Sequence, residues 1–269
     1  MNKFFSIAAG TLLVACVAQP SEEGAGAAAP ESSEEAIVGQ HTTVYLSEHK
    51  CKKPGAYVPS FETATPAQVA QDAYCGDLLA KRVAPQGWVA VFGSSRLAAT
   101  TPEYANAQSF ASLWTLENTT HPIMSGGGPG IMEATNKGAN LAGGPSIGLS
   151  TYFKGPTDAL NSFVTDGYMF SDFETRERAM LRYASAAVIY WGGVGTAWEL
   201  FMTISDVQTK RLKKIPIILV GKDWTDALKP YTDWMVAKGT ASAPDIALLT
   251  IVQTPAETVA AIKTQLAQP

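Results

Sequence analysis

The sequence predicts an α/β fold in which a doubly wound, mainly parallel sheet is covered by helices on both faces. From Trp88 onward, short apolar runs alternate with longer amphipathic stretches, which is the pattern of strands connected by crossover helices. Three of these runs are followed by turns that contain glycine. Because ligands of such folds bind at the carboxyl ends of the strands, we expect the functional site at that edge of the sheet.

Seven strands and seven helices are predicted in order along the chain. The strands are expected at residues 88–92, 122–125, 146–149, 163–169, 187–191, 215–220 and 248–252. The helices are expected at residues 66–82, 103–117, 130–141, 173–184, 196–208, 224–238 and 255–266. The first helix has Pro66 at its start and an apolar stripe that includes Val69, Ala73 and Leu79, as an amphipathic helix requires.

The first 15 residues have the pattern of a bacterial secretory signal. Lys3 precedes an apolar run that ends in small residues before Cys16, and this run is too short to span a bilayer permanently. The letters LVAC at residues 13–16 resemble the lipobox of bacterial lipoproteins. We therefore expect a lipoprotein signal peptide at residues 1–15 and a membrane-anchoring lipid on Cys16. The alternative is an ordinary signal peptide in which Cys16 is incidental.

Residues 16–40 are predicted to be a disordered tether. Between residues 17 and 39 there are five acidic residues, no basic residue and no aromatic residue. Such a segment cannot bury enough apolar area to offset the entropy of ordering. Ala18 stands where lipoproteins of the inner membrane usually have aspartate, so we expect attachment to the outer membrane, facing the periplasm. An extension with a helix at residues 41–86 and the main domain at residues 87–269 complete the chain.

Charge gives no indication of a nucleic-acid partner. The chain has 20 basic and 24 acidic residues, and removing the signal peptide and the tether leaves equal numbers of each. Four of the five residues 210–214 are basic, but a short basic run before a strand more often solvates the end of a helix.

Two cysteines, Cys51 and Cys75, are left once Cys16 carries lipid. Export would place them where disulfides persist, and a bridge between them would add about 3 kcal/mol to stability. Two unrelated thiols, or a metal pair with His41 or His49, are the alternatives. Their spacing matches no common zinc site, so no metal is expected.

Glycine-containing turns follow three of the predicted strands. Glycine lets the backbone approach an anion, and a helix N-terminus presents unpaired N–H groups to it. The spacing of the glycines fits neither the Walker motif nor the dinucleotide fingerprint, so a mononucleotide ligand is favoured. The expected ligand contacts are Gly93, Ser94, Ser95, Gly126, Gly127, Gly128, Met132, Glu133, Gly192, Gly193, Gly195 and Thr196.

Four motifs together resemble the LOG, or Lonely Guy, family, many of whose members carry the name possible lysine decarboxylase. They are SGGGPGIMEATNKGA at residues 125–139, AGGPSIGL at 142–149, FETR at 173–176 and GGVGTAWELF at 192–201. The resemblance implies a Rossmann-like fold, a homodimer and phosphoribohydrolase activity without a cofactor. In that reaction the N-glycosidic bond of a nucleoside 5′-monophosphate, such as AMP, is hydrolysed to free base and ribose 5-phosphate. No lysine is placed to bind pyridoxal phosphate, as a decarboxylase would need.

The resemblance assigns the chemistry to Arg176 and Glu199. A carboxylate near the sugar can stabilise the positive charge that develops as the glycosidic bond breaks, and a guanidinium can hold phosphate or ribose. The alternative is that these two residues form only a structural ion pair. Ser205 stands where the family often has a threonine that contacts the nucleotide.

Three positions depart from the family pattern. Glu177 replaces a lysine, Trp191 replaces a proline, and Trp198 replaces a residue that is commonly acidic. The two tryptophans either pack internally or stack on a base. The acid at position 177, together with the expected export, favours an alternative function: a lipoprotein that binds a nucleotide or phosphate ligand without reacting it. A purely structural role is a third hypothesis.

Overall fold

A computed structural model describes residue 51, residues 55–59 and residues 62–267. The predicted signal peptide, the lipidation site Cys16, the tether at residues 16–40 and the histidines His41 and His49 lie outside the described residues. Within the described ranges, no helix has both the length and the apolar character needed to cross a membrane.

Seven strands form one parallel sheet. The strands are β1 (Trp88–Phe92), β2 (Ile123–Ser125), β3 (Ser146–Thr151), β4 (Asp166–Phe170), β5 (Ala184–Tyr190), β6 (Ile217–Val220) and β7 (Leu249–Val252). Their order is β4-β3-β2-β1-β5-β6-β7, and all neighbours are parallel. The chain builds outward from β1 to β4 and then returns to place β5 on the other side of β1. The strand order therefore reverses between β1 and β5, where a crevice for ligands is expected.

Helices cover both faces of this sheet. They are α1 (Pro66–Val83), α2 (Pro102–Glu117), α3 (Ile131–Leu141), α4 (Phe173–Arg182), α5 (Val194–Gln208), α6 (Asp223–Ala237), α7 (Ala243–Ile246) and α8 (Pro255–Leu266). On one face, α1, α4, α5 and α6 bury side chains such as Leu79, Met180 and Leu200. On the other face, α2, α3 and α8 bury side chains such as Phe110 and Ile262. The predicted doubly wound α/β fold is confirmed.

The predicted elements are all present, but several boundaries are wrong. The helix predicted to reach residue 184 ends at Arg182, and β5 begins at Ala184 rather than at residue 187. Residues 163–165 precede β4 because the N–H of Val164 bonds to the carbonyl of Asn161, 3.1 Å away, in a turn. The short helix α7 was not predicted.

A disulfide joins Cys51 to Cys75 on α1, with the two Cα atoms 5.6 Å apart. Both residues are fully buried in the core beneath α1. The predicted bridge is confirmed, and the alternatives of free thiols or a metal pair with His41 or His49 are wrong because both sulfurs are bonded to each other.

Asp72 provides a second attachment of α1, to the turn that leads from β4 into α4. This fully buried carboxylate accepts hydrogen bonds from the Ser171 N–H at 2.8 Å, the Ser171 hydroxyl at 2.6 Å, the Asp172 N–H at 3.0 Å and the Tyr168 hydroxyl at 3.2 Å. Burial raises the pKa of Asp72, and the hydrogen bonds act in the opposite direction. The extension before the sheet is thereby fixed to the start of α4.

Replacing both Cys51 and Cys75 by alanine is expected to lower the stability of the full chain. A bridge that closes a loop with a sequence separation of 24 residues stabilises by about 3 kcal/mol, mainly by restricting the unfolded chain. For a domain of this size that loss corresponds to a fall in Tm of roughly 6 to 12 °C, which calorimetry can measure. As a control, reductant should leave the Tm of the double variant unchanged. A variant that melts at the same temperature as the parent would contradict the expectation.

Candidate functional site

Three turns meet at the carboxyl edge of the sheet because they follow the adjacent strands β2, β1 and β5. The Ser94 N–H donates to the carbonyl of Trp191, 3.3 Å away, and the Ser94 carbonyl accepts from the Ile131 N–H at 3.0 Å. The turn after β1 thus links the turns after β2 and β5. It brings together these predicted contacts: Gly93, Ser94, Ser95, Gly126, Gly127, Gly128, Gly192, Gly193, Gly195 and Thr196.

Two glycines are required by this close approach. Gly130 has a φ of 69°, and a Cβ there would collide with the backbone of Ser94 and Ser95. A Cβ at Gly126 would collide with the guanidinium of Arg176. Glycine at these positions therefore allows the turn after β2 to contact both the turn after β1 and the buried arginine.

The helices that begin at these turns have no side-chain cap. The N-cap residues of α3 and α5 are Gly130 and Gly193, and neither has a side chain to accept from the first-turn N–H groups. Among the other helices, α6 is also uncapped, whereas α1, α2, α4, α7 and α8 each begin with a threonine, serine or aspartate that accepts such a bond. The Ile131 N–H of α3 is taken by the Ser94 carbonyl. The remaining first-turn N–H groups and the positive ends of the helix dipoles favour an anion at this point.

A buried polar network holds the turn after β2. The backbone N–H of Asn161 donates to the Gly127 carbonyl at 2.7 Å, and its side-chain amide donates to the Gly128 carbonyl at 3.1 Å. The side-chain oxygen of Asn136 on α3 accepts from the Ser125 hydroxyl at 2.7 Å and from the Asn161 amide at 2.9 Å. Neither asparagine was among the predicted site residues. A polar residue on the buried face of α3 is the sequence signal for Asn136, whereas Asn161 has no comparable local signal.

Arg176 lies on α4 beside this turn and is only 4% exposed. Its Nε donates to the carbonyl of Leu149 within β3, 2.8 Å away. Its Nη1 forms an ion pair with the adjacent Glu177, and its Nη2 faces Gly126. The structure therefore brings Arg176 to the predicted site, but its ion pair is with Glu177 rather than with Glu199. The alternative of a structural ion pair between Arg176 and Glu199 is wrong, because Arg176 is paired with Glu177.

Two carboxylates share the electrostatic environment of this arginine. Glu177 is 1% exposed, and within the described part of the chain its Oε2 has no hydrogen-bond partner. Burial raises the pKa of Glu177, against the charge of Arg176. Glu199, half-buried on α5, has its pKa raised to about 8, first by burial and then by the charge of Glu177, while Arg176 opposes the shift. Glu199 can therefore hold a proton near neutral pH.

Aromatic side chains lie next to the arginine. The Cζ of Arg176 is 5.7 Å from the ring centroid of Phe173, whose ring is 5.6 Å from that of Trp198. Trp198 is 41% exposed, so its ring is accessible for stacking on a base. Trp191 packs edge-on against Trp224, with ring centroids 5.1 Å apart, and is 37% exposed. Both tryptophans therefore contact another aromatic ring and keep part of their surface accessible, so stacking on a base stays a prediction for each.

The remaining predicted residues differ in their placement. Met132 packs against Gly126 from the first turn of α3. The carboxylate of Glu133 accepts from the Tyr104 hydroxyl at 2.8 Å; burial, and then Glu133, raise the pKa of Tyr104 to about 12. Ser205 is exposed on α5, about 14 Å along the helix from its first turn. Within one chain, Ser205 therefore lies away from the three turns, unlike the other predicted contacts on α5. No group of three or more metal-ligating side chains occurs among the described residues.

Residues 132–262 match a family model described as possible lysine decarboxylase. The resemblance to the LOG family is confirmed. The chain is also 32% identical over 124 residues to the pyrimidine/purine nucleotide 5′-monophosphate nucleosidase of Escherichia coli K12, an alignment that covers 42% of this chain. The alignment covers 27% of that relative, so the chain spans about a quarter of the length of the curated relatives it matches.

Solved structures with the same fold include two proteins associated with the molybdenum cofactor. The molybdenum cofactor binding protein from Rippkaea orientalis superimposes with a TM-score of 0.51 at 19% identity, covering 66% of this chain and 96% of the other. The molybdenum cofactor carrier protein from Chlamydomonas reinhardtii has a TM-score of 0.52 at 21% identity, covering 68% and 99%. At these identities the likeness establishes the Rossmann-like fold alone.

The raised pKa of Glu199 predicts a pH-dependent stability. The pKa of Glu199 is 4.5 in the unfolded chain and about 8 in the folded chain. At a pH between these two values, Glu199 is protonated in the folded chain and ionised in the unfolded chain. Folding then takes up a proton, so this contribution is complete below pH 4.5 and is lost as the pH rises through about 8. The Tm of the parent should therefore fall relative to that of Glu199→Gln across this range. The exposed Glu174→Gln on α4 is the control and should follow the parent. Parallel curves for the parent and Glu199→Gln would exclude the shift.

Proposed function

We propose that the protein hydrolyses the N-glycosidic bond of a nucleoside 5′-monophosphate and releases the free base and ribose 5-phosphate. One observation carries this proposal. The buried Arg176 and the proton-holding Glu199 lie at an edge where α3 and α5 present uncapped N-termini. An anion site, a sugar-directed cation and a carboxyl group are the parts that this reaction needs.

The phosphate would bind to backbone N–H groups of the turns after β2 and β5. These turns start α3 and α5, so the phosphate would lie at the positive ends of two helix dipoles. The Nη2 of Arg176, which faces Gly126, would contact the phosphate or the ribose. The exposed ring of Trp198 would stack on the base.

Glu199 would transfer the protons of the reaction. Breaking the bond from C1′ to the base leaves the electron pair on the base, which takes a proton from the Glu199 carboxyl group. The resulting carboxylate stabilises the positive charge on the ribose. Water then bonds to C1′ through its oxygen and returns a proton to Glu199. A pKa of about 8 suits this exchange because the group holds its proton near neutral pH yet can release it.

The comparisons support the same substrate class. The Escherichia coli relative carries the name of a nucleotide 5′-monophosphate nucleosidase, and the family match includes both Arg176 and Glu199. A second candidate function is non-catalytic binding of a nucleotide or phosphate ligand. The ion pair between Arg176 and Glu177 favours it over catalysis, because a neutralised arginine stabilises less transition-state charge, whereas the N-termini of α3 and α5 can still hold a ligand.

Replacing Glu199 by glutamine in the full chain is expected to abolish base release while preserving nucleotide binding. Glutamine keeps the shape of the side chain but cannot exchange a proton, so the rate should fall at least about 100-fold. The parent, Glu199→Gln and the control Glu174→Gln would be incubated with a panel of nucleoside 5′-monophosphates, and free bases would be quantified by chromatography.

The outcomes separate the two candidate functions. Release by the parent and Glu174→Gln, but not by Glu199→Gln, supports the hydrolase. Undiminished release by Glu199→Gln would refute the mechanism. If no chain releases base but nucleotides still raise the Tm, the binding function replaces the hydrolase.

Export and anchoring are proposed from the sequence alone. The pattern of residues 1–15 and the cysteine at position 16 support a lipid anchor in the outer membrane, and the family resemblance supports a homodimer. In a bacterium that processes lipoproteins, mass spectrometry should find a mature N-terminus at Cys16 with an added lipid mass. Cys16→Ser should lack that mass and leave the membrane fraction. An unmodified Cys16 peptide from membrane-bound protein would argue against the anchor.

A further inference from the structure

The charge of the site is altered by Glu177, which stands beside Arg176 on α4. Adjacent residues on a helix point about 100° apart and do not normally face each other. Here the guanidinium of Arg176 nevertheless forms an ion pair with the Glu177 carboxylate. Because the two side chains are 4% and 1% exposed, water and salt screen this pair very little.

The hydrogen bonds of Arg176 limit what it can offer to a ligand. Its Nε is bonded to the Leu149 carbonyl, and its Nη1 is paired with Glu177. The Nη2 remains on the side of Gly126. The fork that would bind phosphate through two parallel bonds is thus partly occupied by the protein itself.

Few other basic side chains lie at the site. In the three turns after β1, β2 and β5, the basic residue is Arg96. It is exposed to solvent, where a charge is strongly screened. Attraction for a phosphate must therefore come mainly from the N-termini of α3 and α5.

Glu177 has features of a group that acts on the site rather than on the fold. Its Oε2 is buried without a hydrogen-bond partner in the described ranges, which is a cost that a purely stabilising ion pair would avoid. Its charge also reaches Glu199 on a different helix. Both observations place the carboxylate in the electrostatic environment of the reacting groups.

We propose that Glu177 is a specificity-determining residue: by pairing with Arg176 it removes the arginine's share of phosphate binding and so weakens the preference of the site for nucleoside 5′-monophosphates over nucleosides. This inference rests on the proposed function for the class of ligand. It extends the substrate class to uncharged nucleosides, for which the aromatic ring of Trp198 and the carboxyl group of Glu199 supply contacts that need no phosphate.

The test compares the binding of adenosine and adenosine 5′-monophosphate by calorimetry. The full chain carries Glu199→Gln throughout, so that neither ligand is consumed. In the chain that carries Glu199→Gln alone, the affinity for adenosine 5′-monophosphate should exceed the affinity for adenosine by less than about tenfold. Adding Glu177→Gln frees Nη1 of Arg176 for the phosphate and should raise this preference by about tenfold, with adenosine affinity unchanged. Adding Glu174→Gln, on the exposed side of the same helix, should leave both affinities unchanged.

Three outcomes would overturn the inference. They are a preference of tenfold or more before position 177 is changed, an unchanged preference in a folded Glu177→Gln chain, and no binding of either ligand at millimolar concentration. If the chain with Glu177→Gln does not fold, the comparison of the two ligands in the chain with Glu199→Gln alone decides the question. Base release by the parent tests the proposed hydrolysis separately, so either conclusion can fail without the other.

Discussion

The central position of β1 is the constraint on which the site depends. The parallel strands β2 and β5 flank it, so three carboxyl ends deliver their turns to one place. The backbone of Ser94 bonds to both neighbouring turns, and α3 and α5 begin directly from those turns. The topology therefore brings the positive dipole ends of α3 and α5 to this edge without a cluster of basic side chains in the three turns.

The sequence predicts the strands because each is a short apolar run between amphipathic stretches, and it fails where composition is ambiguous. Residues 184–186 are small and suit a helix or a strand, but they belong to β5 because they pair with the first residues of β1. That pairing joins segments about 95 residues apart, which local composition does not reveal. The turn at residues 163–165 likewise depends on a bond to Asn161.

The sequence predicts those site residues that stand in recognisable motifs. Arg176 and Glu199 stand in family motifs; the structure places Arg176 beside Gly126 and Glu199 within the electrostatic reach of Arg176 and Glu177. The pairing of Arg176 with Glu177 is not predictable, because neighbours on a helix diverge and only the burial around them turns the two groups together. Asn161 is also missed, since it holds the turn at Gly127 from a connection of irregular structure.

The extension before the sheet is attached to the helix that carries Arg176 and Glu177. Interactions between buried charges depend strongly on distance because the surrounding dielectric is low. Arg176 and Glu177 both lie on α4, and the turn that starts α4 is bonded to Asp72 on α1. The Cys51–Cys75 disulfide ties α1 in turn to the residues before it. A displacement of α1 would therefore shift the start of α4 and change the distances between Arg176 and the two carboxylates. It would do so indirectly, because no residue of α1 contacts Arg176 through a described hydrogen bond or ion pair.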